Sequence, residues 1–144
     1  MLSIEYKFRP SLIAPSAVFP GHIVWRPVTN ATLVASNGQT FRCSVLLDTG
    51  ADHCAFPASF ASLLGLDILR MKSCIIGGVG NLSSITYYDS LEVDLGDGIR
   101  FKSLMGFTDG LEKQGFGVLG HLGFFEYYDV HFSRKDLKFT IQTT

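Results

Sequence analysis

The sequence predicts an all-β fold, a closed or sandwiched barrel with one or two short helices, and three observations predict it. Glycine supplies 15 of the 144 residues, above the usual ~7%, which suits tight turns better than a helical bundle. Short apolar runs recur along the chain, several alternating with period two and most bounded by Gly, Asn, Asp or Ser. One stretch, Phe60 to Leu64, repeats apolar residues at helical spacing with a stop signal after it. Hydrophobic residues make up 47% and charged residues 17%, so the chain can bury a substantial core as one compact, soluble domain. So low a charged fraction also points to apolar surface covered by a partner, such as a second copy of the chain.

Residues 1–27 read as an extended N-terminal arm and residues 28–144 as the folded domain. The arm holds four of the five prolines (Pro10, Pro15, Pro20, Pro27). Proline lacks the N–H that a sheet ladder needs, so the arm belongs at an edge. Val28 to Ala35 reads as a strand, and Asn37-Gly38 as the turn of a hairpin, since both residue types tolerate positive φ. On the return strand Phe41, Cys43, Val45 and Leu47 face one side, Arg42 and Ser44 the other. It runs directly into Asp48-Thr49-Gly50.

A helix is expected from Pro57, a first-turn residue, to Leu64, with Gly65 as its left-handed cap. Ile68 to Ile76 reads as a strand reaching the tight turn Gly77-Gly78-Val79-Gly80-Asn81. Ile85 to Leu95 and Ile99 to Phe107 form a hairpin about Gly96-Asp97-Gly98. A polar loop (Thr108 to Gly115), a short strand (Phe116 to Leu119) and a short helix (His121 to Tyr128) follow. A last hairpin, Val130 to Phe132 with Leu137 to Ile141, closes the chain. The expectation is about nine strands.

Composition excludes some functions. Twelve Lys and Arg against thirteen Asp and Glu give a net charge of −1, without the positive surface that nucleic acid or an acidic membrane requires. No apolar run approaches the ~20 residues that span a bilayer. The first residues lack the charged start and apolar core of a secretory signal. Three cysteines (Cys43, Cys54, Cys74), an odd number at no metal-like spacing, read as reduced thiols in the cytoplasm. On that reading Asn30-Ala31-Thr32, though it fits the glycosylation sequon, carries no meaning. No cofactor and no metal are expected.

The informative segment is Val45-Leu46-Leu47-Asp48-Thr49-Gly50-Ala51-Asp52. A buried strand ending in Asp-Thr-Gly sets a carboxylate at its tip, partly desolvated yet beside backbone amides. Thr49 offers a hydroxyl, and Gly50 lets the backbone approach closely. Alone, the tripeptide also reads as a plain turn. Asp97-Gly98 and Asp109-Gly110 lack the preceding strand and read as hairpin turns. His53-Cys54 with His22 or His131 could suggest a metal or a thiol–imidazole pair, but neighbours on a strand face opposite ways. Phe124, Phe125, Tyr127 and Tyr128 could stack nucleotide bases, but without interleaved basic residues they read as core or dimer packing.

Leu46-Leu47-Asp48-Thr49-Gly50-Ala51-Asp52 resembles the active-site segment of the retropepsin-like aspartic proteases. Two further segments recur in that family's order. Ile75-Ile76-Gly77-Gly78-Val79-Gly80 resembles its glycine-rich flap, and Gly117-Val118-Leu119-Gly120 the element packed beneath the catalytic loop. The resemblance runs from Arg26 to Ile141 and is nearest to soluble bacterial members, whose C-terminal region reads much like Leu119 to Phe132. It implies a two-fold homodimeric endopeptidase acting on polypeptides. Asp48, Thr49 and Gly50 would be catalytic; Ala51, Asp52, Gly77, Gly78, Val79 and Gly80 would bind substrate. Val118, Leu119, Gly120 and His121 would support the catalytic loop.

Aspartic proteolysis needs two carboxylates, and this chain has one such motif, so the second must come from another copy. The chain departs from the retroviral pattern in the 29 positions between Asp48 and Gly77, in its longer arm and in its C-terminal extension. His121 replaces the retroviral arginine, and the resemblance implies that it clamps Asp52. The longer ends argue against a dimer sheet of interleaved termini. A non-catalytic dimeric peptide-binding module on the same fold is the alternative, disfavoured because binding alone does not need Asp48.

Overall fold

The computed structural model describes residues 2–12, 15–77 and 83–143. Among these the chain forms twelve strands and one short α-helix. In chain order they are β1 (Ser3–Lys7), β2 (Arg9–Leu12), β3 (Ile23–Arg26), β4 (Val28–Val34), β5 (Thr40–Leu47), β6 (Ala55–Pro57), α1 (Ser59–Leu63) and β7 (Lys72–Gly77). They continue with β8 (Ser83–Gly96), β9 (Ile99–Thr108), β10 (Gly117–Leu119), β11 (Asp129–Ser133) and β12 (Lys138–Gln142). The main sheet runs β4-β5-β10-β6-β9-β8-β7, and β4 also pairs with β8, Leu33 opposite Val93. That second pairing closes six strands into a barrel, leaving β7 outside against β8.

The alternation of β5 is realised: Val45 and Leu47 are buried, Arg42 and Thr40 exposed. They join Leu33, Leu91, Val93, Ile99, Phe107 and Leu119 in one core. Fully burying one such side chain stabilises the fold by about 1.5–3 kcal/mol. In the turn between β8 and β9, Asp97 and Gly98 both take positive φ (55° and 83°), the backbone twist that joins two strands without splaying them. At Asn37-Gly38 only Gly38 is left-handed, at φ 85°. Asn37 instead uses its side chain, donating to the Leu64 carbonyl and accepting the Gln39 N–H.

The arm is tied into the fold as extended strands: β1 pairs antiparallel with β12, at the edge of the sheet β1-β12-β11, and β2 pairs with β3. Phe8 is buried, its ring 6.1 Å from that of Phe139. Pro57 ends β6 and does not open the helix, because Phe56 and Pro57 pair in parallel with Phe107 and Thr108 of β9. The helix shrinks to Ser59–Leu63, with Gly65 in the expected left-handed conformation at φ 70°. Residues Ile68–Arg70 form a 3-10 turn, started when the Asp67 side chain accepts the Leu69 N–H, so β7 begins only at Lys72.

His121 to Tyr128 is a run of turns, not a helix. Gly123 takes φ 106°, outside the helical region, and its N–H goes to Glu126 Oε1 at 2.8 Å. The remaining main-chain bonds have mixed spacing, Phe125 N–H to the Gly120 carbonyl and Tyr127 N–H to that of Phe124. Phe124 is fully buried, with the rings of Phe101, Phe125 and Tyr128 within 5.4 Å. The aromatic cluster is mostly core, and only Tyr127 is substantially exposed.

Candidate functional site

Two neighbouring parallel strands build the site. β5 and β10 pair in register, Val45 with Gly117, Val118 with Leu46, Leu119 with Leu47. Where they stop, the Asp48 N–H donates to the Leu119 carbonyl at 3.0 Å. The chain then turns back on itself. The Ala51 N–H donates to the Asp48 carbonyl, and the Gly50 N–H to Asp48 Oδ1 at 2.8 Å. Asp48 is half-buried, Thr49 and Gly50 exposed. A Cβ on Gly50 would lie 3.2 Å from Asp48 Oδ1, so the absence of a side chain there leaves the carboxylate room to turn.

The bed beneath this turn is glycine and main chain. The His121 N–H donates to the Ala51 carbonyl at 2.9 Å and the Leu122 N–H to that of Asp52 at 2.8 Å. A Cβ on Gly120 would sit 2.5 Å from the carbonyl oxygens of both Ala51 and His53, so no larger residue fits. Cys54, fully buried, accepts the Gly120 N–H on its sulfur and faces the Leu122 carbonyl. Burial pushes its thiol up to about 11, although the Gly120 N–H pulls the other way. Cys54 is therefore an inert packing group.

His121 does not clamp Asp52. Its ring donates through Nε2 to the Thr49 carbonyl and lies 5.6 Å from the Phe125 ring. Among the described residues no ion pair joins His121 to Asp52. The histidine still ties the turn to the segment after β10, but through a main-chain oxygen. His53 and Cys54 diverge as alternation requires: His53 is exposed and packs edge-on against Tyr88, with ring centroids 6.2 Å apart. Among the described residues no three His, Cys, Asp or Glu side chains gather as a metal site would need.

Asp48 opens into a cleft of about 430 Å³, whose walls include Gly50, Ala51, Asp52, Ala55 and Val118. Of the residues singled out from sequence, Asp48, Gly50, Ala51, Asp52 and Val118 thus share one space, while Leu119 and Gly120 lie buried beneath it. Gly77 ends β7 opposite Ser83, and Gly78, Val79 and Gly80 lie outside the described residues. Sequence reasoning missed the opposite wall, formed by Ser84, Thr86, Tyr88 and Thr108. Thr108 donates its hydroxyl to Ser84 Oγ at 3.2 Å. The missed signal was present: Ser84, Thr86 and Tyr88 recur with period two on β8, so they share a face. Burial first, and then the Cys74 thiol beside it, push the Tyr88 hydroxyl up to about 12.

A scan against protein-family models finds no match, and neither does a search of curated proteins. Solved structures do match. A retropepsin-like aspartic protease from Rickettsia conorii is 20% identical, covers 99% of this chain and 99% of its own, and superposes with a TM-score of 0.59. EIAV protease, solved with an inhibitor, is 26% identical over 67% of this chain and 82% of its own, with a TM-score of 0.49. The Rickettsia likeness shows that the chain has the retropepsin-like fold. No helix of the described residues is long and apolar enough to cross a membrane.

Proposed function

We propose that the protein is an aspartic endopeptidase that works as a two-fold homodimer, each copy contributing one Asp48. The observation that carries the reading is the setting of Asp48. Its main chain is fixed to Leu119, one carboxylate oxygen is held by the Gly50 N–H, and the group opens into the cleft. A carboxylate this well positioned and still accessible is what acid–base chemistry on a bound substrate needs. The retropepsin-like fold of the chain supports the same reading.

In the dimer, two carboxylates a few ångströms apart share one proton, because ionising the second beside the first is costly. The ionised Asp48 takes a proton from a water lying between the two. That water's oxygen bonds to the scissile carbonyl carbon, while the protonated Asp48 gives its proton to the carbonyl oxygen. The protonated Asp48 then gives its proton to the amide nitrogen while the ionised Asp48 takes one from a hydroxyl of the tetrahedral intermediate, and collapse breaks the C–N bond and releases the amine. Thr49 and Gly50 shape the turn. Ala51 and Asp52 line the path of an extended polypeptide, with Gly77 to Gly80 proposed as its cover. The odd cysteine count leaves at least one thiol unpaired, which suits the reducing cytoplasm.

The test is cleavage of unfolded polypeptides at mildly acidic pH, with apolar residues preferred around the bond. Asp48→Asn keeps the shape and removes the ionisable group, so turnover should fall roughly a thousandfold or more with the melting temperature unchanged. Excess Asp48→Asn chain mixed with wild type should depress the remaining activity further, through inactive mixed dimers. Undiminished turnover by Asp48→Asn would sink both the mechanism and the residue assignment, and retained peptide binding without turnover in the wild type would favour the binding module instead.

A further inference from the structure

The β2–β3 hairpin carries its apolar side chains on the outside. Pro10 pairs with Trp25 and Leu12 with Ile23, so period two sets all four on one face. That face is exposed: Leu12 is 84%, Ile23 57% and Trp25 38% accessible. The opposite face holds Arg9, Ser11, Val24 and Arg26, all half-buried, with Arg9 donating to Asn30 Oδ1 at 2.9 Å. A free-standing surface hairpin has the reverse arrangement, polar outward and apolar inward. Val18 and Phe19, in the loop between the two strands, are exposed as well.

Two further observations say what covers this face. The hairpin hangs from the active-site end of β5: the Pro27 carbonyl accepts the Leu47 N–H at 3.0 Å, one residue before Asp48. The two chain ends are already bonded to each other within one copy, β1 along β12 and the Thr143 N–H to the Leu2 carbonyl. We propose that the Pro10, Leu12, Ile23 and Trp25 face is the surface on which a second copy of this chain docks, and that this docking completes the active site. The inference rests on the reading that one Asp48 is half a site. It assigns the joining surface to a segment inside the arm rather than to the ends. A two-stranded hairpin is marginal alone, so covering the face also steadies the element that holds it.

The experiment is sedimentation of the wild type and of the double variant Leu12→Ser with Ile23→Ser, with circular dichroism as the check on folding. The wild type should sediment as a dimer. The variant should keep the wild-type spectrum and dissociate at concentrations at least about tenfold higher. Its peptidase activity per chain should be lost at low concentration and recover as concentration rises. Trp25 is the chain's single tryptophan, which gives a readout needing no substitution: wild-type emission should move to the red on dilution, over the range in which the mass halves. A monomeric wild type, a variant that dimerises as tightly as wild type, or a mass that halves with no change in Trp25 emission would overturn the proposal. An active wild type with an unaffected double variant breaks only this inference. A dimer lost in the variant, without peptidase activity in the wild type, breaks only the enzymatic reading.

Discussion

The turn at Asp48 and the β2–β3 hairpin lie side by side in the fold and follow opposite rules. At the turn, Gly120 is packed against two main-chain oxygens, and the main-chain groups of Asp48, Ala51 and Asp52 are bonded to the strand or segment beside them. At the hairpin the apolar side chains face water and half-buried arginines lie beneath. The first region is complete within one chain except for the open side of its carboxylate. The second is incomplete in its packing. Internal precision and external demand are thus separated, so substitutions in the two regions should fail in different ways.

The largest loss should come from Gly120→Ala. The new methyl group has only main-chain oxygens to push against, so the turn itself must move, at a cost of about 3 kcal/mol or more. Chemical denaturation measures that loss, and a variant within 1 kcal/mol of wild type, on the scale of ordinary surface changes, would show that the bed is soft. Next is His121→Ala, which removes the ring's bond to the Thr49 carbonyl and should cost about 1 kcal/mol. Activity should fall by more than stability, because the bond orients the turn next to Asp48. Equal scaling of the two would reduce His121 to a packing residue.

In the hairpin, Leu12→Ser should change the stability of the isolated chain by no more than about 0.5 kcal/mol, since an 84% exposed side chain loses little on replacement. Urea unfolding at high dilution tests this. A loss above 2 kcal/mol, the core range, would place Leu12 in the chain's own core. The last effect appears only at alkaline pH. Unfolded, Cys54 ionises near its ordinary 9.0, whereas in the fold burial raises it to about 11. The unfolded chain therefore releases its proton first, and the contribution of Cys54 is full below pH 9 and lost as pH rises toward 11. Cys54→Ala should flatten the decline in melting temperature across that window. An unchanged slope would assign the decline to other groups.

Legibility in the sequence followed the same division. β5, β8 and β9 could be read because each buries one face against its own chain, so alternation reports the core. The Asp97-Gly98 turn could be read because its backbone needs positive φ at both positions. Asp48, Gly50 and Gly120 were legible as a motif by resemblance to the retropepsin-like proteases. What could not be read depends on distant pairing. Pro57 looked like a helix start until Thr108 of β9 took it into a strand. His121 to Tyr128 read as a short helix, but Gly123 and the Glu126 carboxylate redirect its bonds. The clamp from His121 to Asp52 was implied by the resemblance alone, and the ring reaches the Thr49 carbonyl, three residues earlier, instead. The cleft wall on β8 went unread because its hydroxyls are ordinary strand residues until the barrel curls them toward Asp48.

The pairing of β1 with β12 has a consequence for how the chain folds. Leu2 and Thr143, joined by hydrogen bonds at that seam, lie 141 positions apart. Closing a loop of that length carries an entropic term of about 4 kcal/mol, taken as (3/2)RT ln n. Contacts this non-local place the protein among slow folders, on the millisecond-to-second scale of all-β domains. During synthesis, at ~5–20 residues per second, β1 emerges well before its partner β12. For most of that interval the edge carrying Ile4 and Tyr6 stays unpaired, an open template for another nascent strand. The seam that tidies the finished molecule is thus its main exposure to aggregation while it is being made.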